Sequence, residues 1–359
     1  MFKNKKLRNI VSLLVVAAAI KIFSLFPPLV EQYYSMGAYK YIAQLLNLLF
    51  GGIPFSMGDV LYTIAGIWFI YSLVKFFIQL FKLKNKKLYL LQGAYSLACT
   101  LLIIYILFYG LWGLNYSRLG IAHQLGLSIE KSYTTEELNS LVKELAQKTN
   151  EYRLIVKNDT NDTSFHAMKK QAIIAYDLTS KELPFLSYRL KNIKVPLYNV
   201  LGNYLGYSGY INPFTNEAHV NTRQPSFLQP FVVCHEMAHQ LGYGSEDEAN
   251  FVGYLTAKNS TKNEFLYSTY FQLYRYANNE LYYRDSLLAK INYEKLDTLV
   301  KADIIYMHQF FEQYQNSFEK YTTFLYNQFL KSNNQPQGLN TYTQVTAWLL
   351  AYKKKYQKL

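Results

Sequence analysis

Residues 231–250 read FVVCHEMAHQLGYGSEDEAN. On a helix, positions i and i+4 share one face, so the imidazoles of His235 and His239 can converge on one cation. Glu236 follows the first histidine, where a carboxylate can act as general base on a water held there. Phe231, Val232, Val233, Met237, Ala238 and Leu241 surround this polar trio, as expected of a buried helix. Buried polar groups need partners, and a metal ion satisfies both histidines together. Gly242 and Gly244 then stop the helix, and Ser245 offers an N-cap for a new one.

An acidic third ligand is expected nearby, and Glu246, Asp247 and Glu248 compete for the role. If the next helix turns Phe251 or Val252 and Leu255 toward the core, Glu248 lies on that same face, whereas Glu246 lines up with Asn250 and Gly253. The shared face predicts Glu248 as the ligand that joins His235 and His239 on one Zn²⁺. The same spacing, S-x-x-E from Ser245 to Glu248, also fits a capping box in which Glu248 serves only the backbone. Serine is not a strong zinc ligand, so a third-histidine pattern ending at position 245 is disfavoured.

Around this motif the apolar residues are unevenly spread. The chain has 359 residues, half of them hydrophobic, yet mean hydropathy is only −0.07. Three N-terminal segments, about 10–29, 60–81 and 88–114, approach the ~20 apolar residues needed to cross a bilayer. Lys3, Lys5, Lys6 and Arg8 precede the first, and Lys82, Lys84, Lys86 and Lys87 separate the second from the third. The positive-inside rule then puts the N-terminus in the cytoplasm and everything from about Asn115 onward outside. An uncleaved anchor is expected, since Lys21 and the Phe-Pro-Pro end fit a signal peptide poorly. The motif lies in no apolar 20-mer, which argues against an intramembrane protease.

Those two basic clusters supply eight charges of the net +13, and Lys353 to Lys355 with Lys358 are expected to form a solvated tail. Nucleic acid is therefore not an expected partner. Cys99 lies in the third span and Cys234 in the motif, so the two cysteines are not expected to pair.

Between the first two spans, residues 38–50 have helical apolar spacing, which suits an interfacial helix or one packed on the bundle. A capping box at Thr134 to Glu137 opens a helix to about Arg153, a polar loop covers 156–164, and another helix runs from about Phe165 to Leu183. From Val195 to Asn221 the residues suggest strands and turns, with Asn212 to Asn216 the best turn. Helices follow to Lys358. The expected fold is α+β and mostly helical, with a membrane anchor over 1–116, a core over 117–260 and a C-terminal helical region over 261–359.

HEMAHQLGYG followed by SEDEANFVGYL resembles the gluzincin group of zinc metallopeptidases, whose third ligand is a glutamate on the next helix. The whole chain is similar to a family of bacterial membrane proteins described as a domain of unknown function. That resemblance covers the three spans, PFSMGD (54–59), WGLNYSR (112–118), GYINPFTNEAHVN (209–221), the HExxH itself and FLKSNNQPQGLNTY (329–342). The gluzincin resemblance implies a zincin domain in which an edge strand upstream of the zinc helix binds substrate backbone by strand addition. Tyr210, Asn212, Glu217 and His219 then become candidate substrate contacts, and Tyr342 a candidate oxyanion group. The expected protein is a multi-pass protein of the bacterial inner (cytoplasmic) membrane with a periplasmic or extracellular metallopeptidase domain. Its substrate would be a peptide, a protein or a peptidoglycan peptide. An inactive zinc-stabilised envelope scaffold is the alternative.

Overall fold

The computed structural model describes residues 2–83, 86–129, 133–157, 164–190, 192–338 and 344–359. Helix α1 (Phe2–Ser24) stops short of the expected Leu29. Phe26 precedes a proline and takes φ −117°, ψ 77°, outside the helical region, because the proline ring crowds the residue before it. The chain continues through α2 (Pro27–Leu29), a π-helical stretch over Val30–Ala38, and α3 (Tyr39–Phe50). In α3, Tyr41, Leu45, Leu48 and Leu49 form an exposed face opposite buried Tyr39, Ala43 and Leu46. That division suits a helix packed on the protein and facing an apolar medium.

Ser56 caps α4 (Met57–Lys82), accepting from Asp59 N at 3.0 Å. Helix α5 (Lys86–Leu111) ends three residues before the expected Leu114, and Gly113–Ser117 form a 3₁₀ turn. Three segments, Lys5–Ser24, Met57–Lys82 and Lys86–Leu111, are long and apolar enough to cross a membrane.

Next come α6 (Gly120–Leu125), α7 (Thr135–Val156) and α8 (Phe165–Ser180). The expected capping box at α7 is present: Glu137 N donates to Thr134 Oγ1, and Thr134 N to Glu137 Oε2. Most of the expected loop at 156–164 lies outside the described residues. The stretch 195–221 is only partly strand. The sheet comprises β1 (Ile193–Lys194), β2 (Gly209–Asn212) and β3 (Glu217–Val220), in the order β1-β3-β2. Strand β3 pairs parallel to β1 and antiparallel to β2, so β2 is an edge. Between β1 and β2 the chain forms a helix, α9 (Asn199–Leu205). Its apolar residues Val200, Leu201, Tyr204 and Leu205, with Leu197 just before it, recur at helical rather than strand spacing. At the β2–β3 turn, Asn212 Oδ1 accepts from Phe214 N at 3.0 Å and Thr215 N at 3.2 Å, while Asn216 takes φ 52°.

The remaining helices are α10 (Gln229–Gln240), α11 (Glu246–Ala257), α12 (Asn263–Arg284), α13 (Ser286–Glu294), α14 (Thr298–Glu312), α15 (Glu319–Ser332) and α16 (Val345–Tyr356). α10 and α11 lie against each other at the centre, α12 runs along α7, and α16 packs Trp348 and Tyr352 on Phe251. The C-terminal lysines are not all solvated, as the charge run suggested. Lys353 pairs with Glu144 at 2.6 Å, and Lys355 donates to the Leu125 carbonyl at 2.7 Å.

One buried ion pair joins the segments that follow the first and third spans. Arg118 meets Glu31 through Nε and Nη2 at 2.9 and 2.8 Å, with both side chains nearly excluded from solvent. Burial opposes ionisation of Glu31, but the Arg118 guanidinium outweighs it and lowers the carboxyl below its usual range. Glu31→Gln is expected to destabilise the detergent-solubilised protein by about 3–5 kcal/mol, because it strands a buried cation. In chemical denaturation, the double variant Glu31→Gln/Arg118→Met should recover much of that loss. Because the folded pKa is depressed, the wild-type contribution holds above about pH 4.5 and fades as pH falls below it.

Candidate metal centre

Helix α10 is buried along its length except for Val232, including the C-terminal turn where backbone carbonyls have no partners within the helix. The N–H groups of Leu241, Gly242 and Tyr243 reach Met237, Ala238 and His239 O, and side chains from segments that follow the first and third apolar helices add further donors. Trp112 Nε1 donates to His239 O at 3.0 Å, Tyr39 OH to Gln240 O at 2.9 Å, and Arg118 Nη1 to Gly242 O at 3.0 Å. Gln240 Nε2 in turn donates to Asn192 O and Asn216 O, tying the helix to the sheet.

Held this way, His235 and His239 turn their Nε2 atoms toward each other at 3.1 Å. The third group beside them is Glu246, whose Oε2 lies 3.2 Å from His235 Nε2 and 3.6 Å from His239 Nε2. Among the described residues, these three form the group whose ligand atoms lie close enough to hold one metal ion. Ligands about 2.0–2.1 Å from a tetrahedral zinc stand roughly 3.3 Å apart, which matches the three edges. Glu246 Oε2 and His235 Nδ1 have no hydrogen bond of proper geometry. His239 Nδ1 meets the Tyr243 carbonyl at 2.7 Å, and since a carbonyl can only accept, the proton sits on Nδ1 and Nε2 faces the triad. The second carboxylate oxygen, Glu246 Oε1, accepts from Tyr326 OH at 2.7 Å, and Glu246 N donates to Gln335 Oε1 at 3.1 Å.

The electrostatics fit a cation-binding set. Burial disfavours a charged His239, yet the neighbouring Glu246 carboxylate overrides it and lifts the imidazole to about 9. Burial likewise opposes ionisation of Glu246, and the two histidines reverse this and hold it well below the usual carboxylate range.

The carboxylate that the structure places beside the histidines is Glu246, where the sequence pointed to Glu248. Glu248 points away from the histidines, and its Oε1 accepts from Ile121 N at 2.9 Å. The capping box is not formed either, since Ser245 makes no side-chain cap hydrogen bond. The facing rule failed because every residue of α11 is buried, so both sides of the helix meet protein. The overlooked stripe Glu246–Asn250–Gly253 is the one turned to α10. A Cβ at Gly253 would lie 3.3 Å from His235 N, so glycine lets the two helices close on each other. That helical glycine, seven residues after Glu246, was the available sequence signal. Asp247 takes a third direction, accepting from Trp348 Nε1 of α16 at 3.1 Å.

Glu236 lies between α10 and the edge strand. A Cβ at Gly209 would come within 2.4 Å of Glu236 Oε1, so only glycine admits the carboxylate. Burial raises Glu236 to about 8, and its Oε2 has no hydrogen-bond partner among the described residues.

The candidate substrate contacts divide differently. Glu217 and His219 are fully buried and serve the fold. Glu217 pairs with Lys194 and accepts from Thr215 Oγ1, Met57 N and Gly58 N, while His219 Nε2 meets Ser56 Oγ at 2.8 Å. Asn212 is also buried and builds the turn. Tyr210 stacks on His219 and donates to Asp59, and it alone of the four is partly exposed. Tyr342 lies outside the described residues. The phenol that reaches the triad is that of Tyr326, which no sequence pattern singled out.

Zinc binding to the purified full-length protein should separate the carboxylates. By competition with a chromophoric chelator, Tyr326→Phe is expected to weaken Zn²⁺ by roughly 10–100-fold, as loss of an outer partner does. Glu246→Gln should cost more than that, and Glu248→Gln should leave affinity near wild type.

No curated protein and no solved structure matches this chain. A family model described as "Protein of unknown function (DUF3810)" matches residues 34–350, which include α3, two of the apolar helices, the triad and the first half of α16. The chain belongs to that family.

Proposed function

We propose that this protein is a membrane-anchored zinc-dependent hydrolase of peptide or amide bonds, with its catalytic domain on the outer side of the bacterial cytoplasmic membrane. The observation that carries this reading is the triangle of His235, His239 and Glu246 with Glu236 beside it on the same helix. It is the His₂Glu arrangement that the gluzincin resemblance implies, with Glu246 in the position assigned from sequence to Glu248. A Zn²⁺ held by these three side chains would supply a bound water of pKa near ~7 and a Lewis acid for a carbonyl oxygen.

The chain's own residues account for the rest of the chemistry. With such a water bound, Glu236 would take its proton as the water oxygen adds to the carbonyl carbon, and would return that proton to the amine as the C–N bond breaks. Its raised pKa suits a group that must hold that proton between the two steps. A buried carboxylate with an unpartnered oxygen weighs against a purely structural site, because such a group only costs stability there. Tyr326, on Glu246, fixes the ligand's orientation. Strand β2 is the outermost of the described strands and passes Glu236 at Gly209, which suits an extended polypeptide added as a further strand. The basic residues at the start of α1 and between α4 and α5 favour a cytoplasmic N-terminus, and three crossings then put the domain outside.

Glu236→Gln should retain zinc and lose roughly 10²–10⁴-fold in hydrolysis of a quenched-fluorescence peptide library, the usual share of a general base. Wild-type protein with stoichiometric zinc and no turnover on that library would instead assign a scaffold. In intact spheroplasts, added protease should degrade the domain that follows α5; full protection would reverse the topology.

A further inference from the structure

The two elements that flank the triad carry apolar faces that no other part of the described chain covers. On the Glu236 side, α9 leads into β2, and from Val195 to Asn216 there is no charged residue. Leu197, Val200, Leu201 and Tyr204 are all exposed there. On the Glu246 side, α15 supplies Tyr326, and no charge occurs between Lys320 and Lys331. Tyr321, Phe324 and Leu325 of that helix are 69%, 59% and 66% exposed. Contiguous apolar surface of this kind marks an interaction site.

What it adjoins identifies the partner. Tyr198, just before α9, shares a 2.6 Å hydrogen bond with Thr63 in the second turn of α4, and Phe214 meets Tyr62 edge-on. At the other element, Phe329 packs on Phe108, and Tyr109 OH donates to Asn333 Oδ1 at 2.9 Å, both within the last turn of α5. The segment leading into α15 also touches α9, through Asn316 Nδ2 to Tyr204 O at 2.7 Å and the Tyr204–Tyr314 ring pair. α4 begins and α5 ends on this side, so both faces extend the apolar surface of the spans. The aromatic and aliphatic side chains of α15, bounded by Lys320 and Lys331, have the composition of a segment at the headgroup–acyl boundary, and the 195–216 stretch presents the same kind of side chains without charge.

We propose that α9 and α15 are seated in the leaflet next to the domain and form a lipid-embedded rim beside the triad. On the hydrolase reading, the site then meets polypeptides held at the same bilayer before those free in solution.

The test uses the full-length chain in phospholipid nanodiscs, with Cys99→Ser as background and Cys234 left in place because it is buried. Single variants Leu201→Cys and Phe324→Cys, with Tyr283→Cys on α12 as an exposed aromatic control, carry an environment-sensitive fluorophore. Nitroxide lipids labelled at shallow depth, about 5–10 Å below the headgroups, are expected to quench positions 201 and 324 several-fold more than 283. Quenching at either 201 or 324 no greater than at 283 overturns the rim. The measurement involves neither metal nor hydrolysis, so its failure is separate from failure of the hydrolase reading.

Discussion

The buried C-terminal turn of α10 is the constraint on which the rest depends. A helix that ends in the protein interior leaves carbonyls that water cannot reach, and each must find a donor or cost about 1–3 kcal/mol. Here backbone N–H groups of residues 241–243 meet part of the demand, Tyr39 and Trp112 donate to Gln240 O and His239 O, and Arg118 donates to Gly242 O just beyond the helix; all three side chains follow the first and third apolar helices. The apolar N-terminal helices and the rest of the chain are therefore not two bodies joined by a tether. Segments that follow those helices complete the helix that bears both histidines.

A second consequence follows from three acids in a row. At the start of α11, Glu246 turns to the histidines, Asp247 to Trp348 of α16, and Glu248 to the backbone entering α6. Successive helical positions are about 100° apart, so neighbouring side chains must address different surroundings. One short helix thus connects the site, the C-terminal helix and the segment after the third span. Glu246 itself reaches further, to Tyr326 and Gln335, which gives the C-terminal helices a part in the site's geometry.

Much of the framework was legible from local patterns. Apolar length marked the three long helices, Thr134 and Glu137 marked the start of α7, and Asn212 to Asn216 marked the hairpin turn. Each of these features is decided within a few residues by solvation or hydrogen bonding. The errors arose where local cues were ambiguous. α9 was hidden among glycines and aromatic residues that suggested strands, although its apolar spacing was helical. The first span ended early because Pro27 acts on the residue before it.

The sequence by itself determined that His235 and His239 share a helix face, that Glu236 stands beside them, and that a carboxylate lies close downstream. Those relations follow from the period of one helix. Which carboxylate turns to the histidines was decided only by tertiary structure, because α11 is enclosed on every side and amphipathicity says nothing about direction in such a helix. The same holds for Glu217 and His219, whose polar character suggested substrate but whose burial commits them to the Ser56–Gly58 segment at the head of α4. Tyr326, eighty residues from Glu246 in sequence, reaches the site only because α15 packs beside the end of α5. No local pattern encodes a contact of that span.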